Sequence, residues 1–138
     1  MPEDPKFSEG QALPVLRRSI ELPDMVAYAG ATWDWHRLHY DTEYAAKSLL
    51  PGPVVDGQVL GAYLAEQLLD SFGPRAFIRK MSFRFRSMVF AGETITCNAT
   101  IVSVGYTPSA VIGVEQEITI DDRLVVSPAK AEVVIHDT

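Results

Sequence analysis

The sequence predicts a single α+β domain in which an antiparallel sheet wraps around one long central helix. Three observations support this fold class. The chain has 138 residues, of which 47% are hydrophobic and 22% are charged, and this balance is typical of one globular domain with a substantial core. Apolar residues recur with helical spacing over residues 57–72. The second half of the chain instead alternates apolar and polar residues, as strands do.

The chain before the central helix is predicted to contain an arm and three short elements. Residues 1–14 carry prolines and charges with little periodicity, so we expect an N-terminal arm ahead of a domain that spans residues 15–138. The expected short elements are a strand from Val15 to Leu22, a helix from Pro23 to Ala31 and a helix from Thr42 to Ser48. Proline and aspartate suit the first turn of the earlier helix, and Asp41 is expected to cap the later one.

The central helix is the clearest element of the prediction. Asp56 and Gly57 begin it, and Gly73-Pro74 ends it after Phe72. Its apolar side chains recur at spacings of one, three and four along one face, which comprises Val59, Leu60, Tyr63, Leu64 and Leu68. A helix that is mostly apolar needs a sheet around it to bury that face.

The remainder of the chain is expected to supply that sheet. Strand periodicity covers residues 77–86, 94–101, 112–120 and 124–135, with turns at Ala91-Gly92 and Asp121-Asp122. The apolar face of the first of these strands is predicted to comprise Phe77, Met81, Phe83 and Phe85. Pro128 is expected at a bulge or a sheet edge, because proline cannot donate a hydrogen bond to a neighbouring strand.

Composition argues against several classes of function. The net charge of −6 disfavours a nucleic acid partner, and no apolar stretch is long enough to span a membrane. Residues 1–10 are polar and acidic, unlike a secretory signal. The single cysteine, Cys97, cannot form an internal disulfide and suits a reducing compartment. We therefore expect a cytoplasmic protein without a nucleic acid or membrane partner.

The segment from Thr32 to Asp41 concentrates side chains that can carry chemistry. It holds both tryptophans and two of the three histidines, together with Asp34 and Asp41. Asp34 and His39 are five residues apart, which on a regular helix would place them about 140° apart. They can therefore converge on one substrate only from an irregular turn, where an Asp and a His can share general acid–base catalysis near neutral pH. The alternative is a capping aspartate, a structural histidine and ordinary aromatic packing.

Three motifs follow one another along the chain. They are Asp34-x₄-His39 with Asp41 and Ala45 after it, Pro53-Val-Val-Asp-Gly57, and Phe83-Arg-Phe-Arg-Ser-Met-Val-Phe-Ala-Gly-Glu93. Together they resemble the MaoC-like dehydratase and hydratase family, and the resemblance implies the hotdog fold of that family. The sequence of residues 36–41 is similar to that of a subgroup that includes mesaconyl-type hydratases and acyl-thioester dehydratases of fatty-acid synthesis.

The resemblance implies a reaction and a role for each matching residue. The reaction is the reversible hydration of a trans-2-enoyl thioester to a 3-hydroxyacyl thioester. Coenzyme A or an acyl carrier would be part of the substrate, and no metal or redox cofactor is expected. Asp34 and His39 would bind and activate the water and handle the proton at the α-carbon. The backbone N–H of Gly57, at the positive end of the central helix, would hold the thioester oxygen. The further residues assigned to substrate binding are His36, Tyr40, Asp56, Arg84 and Arg86.

Three positions depart from the family pattern and leave the substrate class open. His36-Arg37 stands where many members have Asn-Pro, Asp56 replaces a common histidine, and Ala62 stands where some hydratases have serine. Asp56 is most simply the N-cap of the central helix. Alternatively it is a carboxylate of the kind with which other hotdog enzymes hydrolyse thioesters. Thioester hydrolysis, or a structural role beside a catalytic hotdog partner, is therefore an alternative to hydration.

Two other groups of charged side chains are candidate ligand sites. Five basic residues fall within a stretch that contains no acid, namely Arg75, Arg79, Lys80, Arg84 and Arg86. They would meet the phosphates of coenzyme A or an acidic carrier, or they form a solvated strand face. His36 and His39 with Asp34 or Asp41 could bind a metal, which we do not expect because no other histidine or thiol is near in the sequence.

A sheet wrapped around one helix also leaves open edges. Unpaired strand edges invite pairing with another chain, so we expect a homodimer or a multiple of it, with the substrate between two subunits. The alternative is an obligate pair with a second hotdog protein.

Overall fold

The structure is a computed structural model, and it describes residues 7–106 and 108–136. In chain order its elements are β1 (Leu16–Ser19), α1 (Leu22–Thr32), a 3₁₀ turn (Arg37–His39), α2 (Thr42–Lys47), α3 (Gly57–Phe72), β2 (Ala76–Phe85), β3 (Thr94–Gly105), β4 (Ala110–Ile120) and β5 (Arg123–Ile135). Strand β1 is shorter than predicted because α1 already begins at Leu22. Among the helices of these residues, none is both long enough and apolar enough to cross a membrane.

The five strands form one antiparallel sheet in the order β1-β3-β4-β5-β2, and α3 packs against β2 and β3. The buried side chains of α3 join two core clusters with residues of the strands. These clusters include Leu60, Leu64, Ile95 and Ile118 at one end, and Leu68, Phe72, Ile101 and Ile112 at the other. The prediction of an α+β domain with a sheet around one long helix is confirmed.

Irregular pairing of β2 changes which of its side chains face the helix. A register shift lies between Ile78 and Lys80. Because such a shift moves side chains to the other face of a strand, Phe77 is 58% exposed whereas Met81 packs against the core. The prediction that Phe77 shares the apolar face with Met81 is wrong. The predicted bulge at Pro128 is confirmed, because β5 gains one residue relative to its neighbours there.

Two glycines of α3 let β2 come close to the helix. A Cβ atom on Gly61 would lie 2.6 Å from Cζ of Phe83, and a Cβ atom on Gly57 would lie 2.5 Å from Cζ of Phe85. Real Cβ atoms essentially never make non-bonded contacts this short, so either ring would have to move. The two phenylalanines therefore lie against α3 at Gly57 and Gly61, where the helix carries no side chain.

The segment before β1 lies along β3. Leu13 is 5% exposed and donates its N–H to the carbonyl of Ala99 at 3.0 Å, and Gly10 donates to Ile101 at 2.8 Å. This part of the expected arm is therefore attached to the sheet. Residues 1–6 of the arm lie outside the described residues, and the domain boundary at residue 15 stays a prediction.

Two buried glutamines connect α3 to the sheet. The Gln67 amide donates to the carbonyls of Pro14 at 3.0 Å and Cys97 at 2.9 Å. Gln116 of β4 donates to Gln67 Oε1 at 2.9 Å and to the carbonyl of Leu64 at 3.0 Å. Because buried amides cost free energy unless they are paired, these contacts hold the helix at one position along the sheet.

Candidate active site

The turn after α1 brings Asp34 and His39 to the same place. Helix α1 ends where Trp33 takes a left-handed conformation with φ of 58°, and the N–H groups of Trp33 and Asp34 both donate to the carbonyl of Ala29. In the 3₁₀ turn that follows, the N-cap His36 accepts a backbone N–H through Nδ1 at 3.1 Å. His39 is the last residue of that turn. The two residues therefore converge from an irregular segment, as their spacing predicts.

A third side chain, Asp56, joins this pair from the start of α3. Asp34, His39 and Asp56 each present one atom within 4.8 Å of the other two. The distance from His39 Nε2 to Asp56 Oδ2 is 4.0 Å, and both side chains are more than four-fifths buried. The cluster thus groups one imidazole with two carboxylates.

The hydrogen bond of His39 to the backbone determines which ring nitrogen is free. His39 Nδ1 lies 2.7 Å from the carbonyl oxygen of Val54. Since a carbonyl oxygen can only accept, Nδ1 carries the hydrogen and Nε2 of the neutral ring is an unprotonated base. Val54 is fixed in turn, because its N–H donates to the carbonyl of Leu38 at 2.9 Å. The arrangement holds an acid–base group in one orientation, with Nε2 towards the carboxylates.

Asp56 and Gly57 together form the N-terminus of α3. Asp56 Oδ1 accepts the N–H of Gln58 at 3.0 Å, so the N-cap interpretation is confirmed and the other carboxylate oxygen is left on the side of His39. Gly57 is the first residue of the helix, and the first N–H groups of a helix have no partner within it. The Gly57 N–H is therefore available to an oxygen atom of a ligand, at the positive end of the helix.

Two spaces meet at His39. The first, which we call the His39 groove, has a volume of about 550 Å³. It is lined by His39, Val54, Val55, Gly57, Leu60 and residues 85–89. The second, which we call the neck, has a volume of only about 10 Å³. It is lined by Asp34, His39, Asp56, Met25, Tyr28, Ala29 and Val59. The dyad predicted from the sequence therefore lies where an open groove narrows.

Beyond the neck lies a third space, which we call the α1/α3 cleft. It has a volume of about 150 Å³ and is lined by Ile20, Asp24, Met25, Tyr28, Val59, Ala62, Tyr63 and Glu66. Met25, Tyr28 and Val59 line both the neck and the cleft. Burial raises the pKa of the Tyr28 phenol, and the carboxylates of Asp56 and Asp34 raise it further, so Tyr28 is neutral at neutral pH. Sequence reasoning missed Tyr28, because on α1 it looks like an ordinary packing residue.

The other residues predicted to bind substrate fall into different places. Arg86 lines the His39 groove and donates its Nε–H to the carbonyl of Ser127 at 2.6 Å. Arg84 is exposed on β2 and does not line the groove. The His36 ring lies 5.9 Å from the His39 ring, and Tyr40 packs edge-to-face on Trp35 at the same distance, away from all three spaces.

The acidic cluster also bears on metal binding. Asp34, His39 and Asp56 offer two carboxylates and one imidazole, which could hold a divalent cation. Asp41 is not part of this set, because it caps α2 and pairs with Arg37 at 2.9 Å. Those contacts, first the Tyr44 N–H and then Arg37, lower the pKa of Asp41. The expectation of a site without metal stays a prediction.

Comparison with known proteins gives relatives that are named as a dehydratase and as a hydratase. A mitochondrial 3-hydroxyacyl-[acyl-carrier-protein] dehydratase of Arabidopsis thaliana is 32% identical over 78 residues, which is 56% of this chain and 46% of that protein. An (R)-specific enoyl-CoA hydratase of Rhodospirillum rubrum is 25% identical over 99 residues, which is 71% of this chain and 68% of that protein. The alignment thus spans about half of the plant dehydratase.

Solved structures confirm the predicted hotdog fold. The (R)-hydratase from A. caviae superimposes with a TM-score of 0.86 at 22% identity, over 95% of this chain and 98% of that one. A chain of the ChsH1-ChsH2 complex from Mycobacterium tuberculosis gives a TM-score of 0.84 at 22% identity, over 94% and 98%. The family described as MaoC like domain matches residues 6–121. This match covers most of the sequence and includes all the residues of the acidic cluster, so the chain belongs to the MaoC-like domain family.

Proposed function

We propose that this chain is a hydro-lyase that reversibly hydrates a trans-2-enoyl thioester to an (R)-3-hydroxyacyl thioester. One observation carries the proposal. A histidine whose Nδ1 is held by a backbone carbonyl is clustered with Asp34 and Asp56, and it lines the same groove as Gly57, the first residue of α3. Two relatives, one named as an (R)-specific enoyl-CoA hydratase and one as a 3-hydroxyacyl-carrier dehydratase, support this type of reaction.

Each group of the site has one task in the hydration direction. Asp34 and His39 bind the water and take one of its protons as its oxygen adds to the β-carbon. The electron pair of the double bond moves towards the carbonyl, and the Gly57 N–H stabilises the negative charge that develops on the thioester oxygen. A proton returned by the pair to the α-carbon completes the addition. The net change is the addition of one water molecule, and dehydration is the reverse.

The proposed reaction needs no cofactor, and coenzyme A or an acyl carrier is part of its substrate. Addition of water transfers protons without net oxidation, so we propose that the reaction uses no redox cofactor and no metal. The His39 groove is large enough for the pantetheine arm of coenzyme A or an acyl carrier, and Arg86 supplies a cation beside it. Coenzyme A or the carrier then enters only as part of the substrate.

We further propose that the chain works as a homodimer in the cytoplasm. Strand β2 is at the edge of the sheet, and its side chains Phe77 and Phe85 are 58% and 52% exposed. A long edge strand with exposed aromatic rings favours pairing with another sheet. The M. tuberculosis structure is named as a complex of two proteins, so a mixed pair is the alternative assembly. Light scattering on the purified chain should give a dimer mass or larger. A well-folded monomer, or an inactive dimer that a second hotdog protein activates, would contradict the homodimer.

The test of the reaction is a set of trans-2-enoyl-CoA substrates followed by the loss of the conjugated thioester absorbance. Asp34→Asn and His39→Ala should each lower kcat by about a hundredfold or more, because each removes an acid–base group. Glu43→Gln removes an exposed carboxylate of α2 as a matched control and should leave kcat unchanged. Full activity in either site variant would remove that residue from the mechanism.

Thioester hydrolysis is a second candidate because one oxygen of Asp56 lies 4.0 Å from His39 Nε2. A carboxylate in that place could activate water for attack on the thioester carbonyl. Release of free thiol from a saturated acyl-CoA, abolished by Asp56→Ala, would establish this reaction. Its absence, together with hydration of enoyl-CoA, would exclude it.

A further inference from the structure

We propose that the α1/α3 cleft holds the tail of the acyl group and selects a short, uncharged chain. This inference rests on the proposed hydration reaction. In that reaction the carbonyl oxygen is at the Gly57 N–H, and the β-carbon is beside Asp34 and His39. The carrier group fills the His39 groove, so the acyl chain beyond the β-carbon has to continue past the dyad on the other side.

The neck and the cleft adjoin each other in that direction. Asp34 and His39 line the neck, and three residues that line the neck also line the cleft, namely Met25, Tyr28 and Val59. The neck is narrow, at about 10 Å³. Met25 is unbranched and has several rotatable bonds, so its side chain can rotate to admit an unbranched chain. An acyl chain therefore enters the cleft only when Met25, a buried member of the core, moves aside.

The size and the walls of the cleft suit a short hydrocarbon chain. Its inner walls include Ile20, Met25 and Val59, and the exposed Ala62 is at its mouth. An apolar cavity of about the same volume holds a benzene molecule, so the cleft has room for about six carbon atoms. With the three carbons already placed at the site, this makes about nine, so acyl chains up to about nonanoyl fit. A longer chain would extend past the exposed Ala62 into solvent, so its additional carbons would add no binding free energy.

The charges around the cleft disfavour an acyl chain that ends in a carboxylate. Asp24 and Glu66 lie at its rim, and none of the described residues that line it is a cation. The nearby Arg18 is paired with Glu66. Burial raises the pKa of the Tyr63 phenol, as it does for Tyr28, so both hydroxyls remain neutral. A terminal carboxylate would therefore lose its hydration and meet like charges.

Isothermal calorimetry with saturated acyl-CoAs tests the cleft independently of turnover. Affinity should rise about fourfold for each methylene added between butanoyl-CoA and octanoyl-CoA, and should then level off at dodecanoyl-CoA. Ala62→Phe fills the mouth of the cleft from an exposed position, so it should fold normally. This variant should abolish the increase in affinity with chain length and leave the affinity for acetyl-CoA unchanged. Ala65→Phe adds the same atoms to α3 outside the cleft, so in this variant the affinity should still increase with chain length.

A charged ligand gives the second part of the test. Hexanedioyl-CoA should bind at least about tenfold more weakly than hexanoyl-CoA, because its end meets the acidic rim. Glu66→Gln removes one charge and frees Arg18, so it should narrow that difference, whereas Glu43→Gln should not.

The outcomes separate this inference from the proposed reaction. An affinity that does not depend on chain length, or a dependence that Ala65→Phe removes and Ala62→Phe does not, would overturn the cleft as the acyl site. A hexanedioyl ligand that binds as well as hexanoyl would overturn its selectivity for uncharged chains. If instead the chain-length pattern holds and no enoyl-CoA is hydrated, the proposed reaction is wrong while the cleft remains an acyl-binding site.

Discussion

Replacement of Gly57 by alanine should have a small effect on stability and a large effect on the reaction rate. The added Cβ would lie 2.5 Å from Cζ of Phe85 and 3.0 Å from both Cε atoms, so the ring has to move. Phe85 is 52% exposed and can turn outwards, and it then occupies part of the His39 groove that it lines. We expect a cost of at most about 1 kcal/mol in the free energy of unfolding, the low end for an overpacked contact, because the half-exposed ring can move. We also expect kcat/KM for but-2-enoyl-CoA to fall at least about tenfold, because the thioester can no longer reach the helix N–H.

Gly61→Ala is the matched control for that experiment. Its Cβ would lie 2.6 Å from Cζ of Phe83, so the same contact recurs one turn later on α3, but Phe83 does not line the groove. Alanine also suits a helix interior better than glycine by about 1 kcal/mol, which offsets part of the cost. Chemical denaturation gives the free energies, and the absorbance assay gives the rates. Full activity in Gly57→Ala, or an equal loss of activity in Gly61→Ala, would refute the role assigned to the Gly57 N–H.

Three other predictions follow from contacts in the structure. Arg86→Ala should raise KM for acyl-CoA more than for a pantetheine thioester, whereas Arg84→Ala should not; equal effects on both substrates would mean that Arg86 does not meet the nucleotide. Gln67→Leu should lower the free energy of unfolding in urea by about 1–3 kcal/mol because it removes the donor of two buried carbonyls, while the exposed Gln58→Leu should change it little. Burial raises the pKa of Cys97 to about 12, so thiol reagents at neutral pH should label it only after denaturation, and rapid labelling of the native chain would contradict its burial in the core.

Periodicity was sufficient to predict the main elements and insufficient for their local irregularities. The helical spacing of α3 and the alternation along β3 to β5 depend on which side chains face the core, and the pattern reports that directly. The error at Phe77 came from a register shift, which one extra residue in a strand produces without any mark in the alternation. The buried Gln67 was missed for a related reason, because its partners come from segments that lie far from it in the sequence.

The candidate site was predictable in part. The spacing of Asp34 and His39 required an irregular turn, and the left-handed Trp33 with the 3₁₀ turn after it supplies one. The approach of Asp56 to His39 was not predictable, because it depends on how the chain returns between residues 40 and 53. The tautomer of His39 likewise depends on the Val54 carbonyl, which no residue type in the sequence reveals.

The backbone link between Leu38 and Val54 makes residues 39–53 a side loop with joined ends. Val54 donates to Leu38 and accepts from His39, so the positions of the histidine and of the start of α3 are set by the closure of the loop and not by its length. Within the loop, Leu49 lies just after α2, has a positive φ of 60° and is 93% exposed. Residues inserted there lengthen the loop without moving His39 away from the N-terminus of α3. The loop is thus a place where a chain of this fold can acquire a new surface, or accept a grafted segment, while its reacting atoms keep their distances.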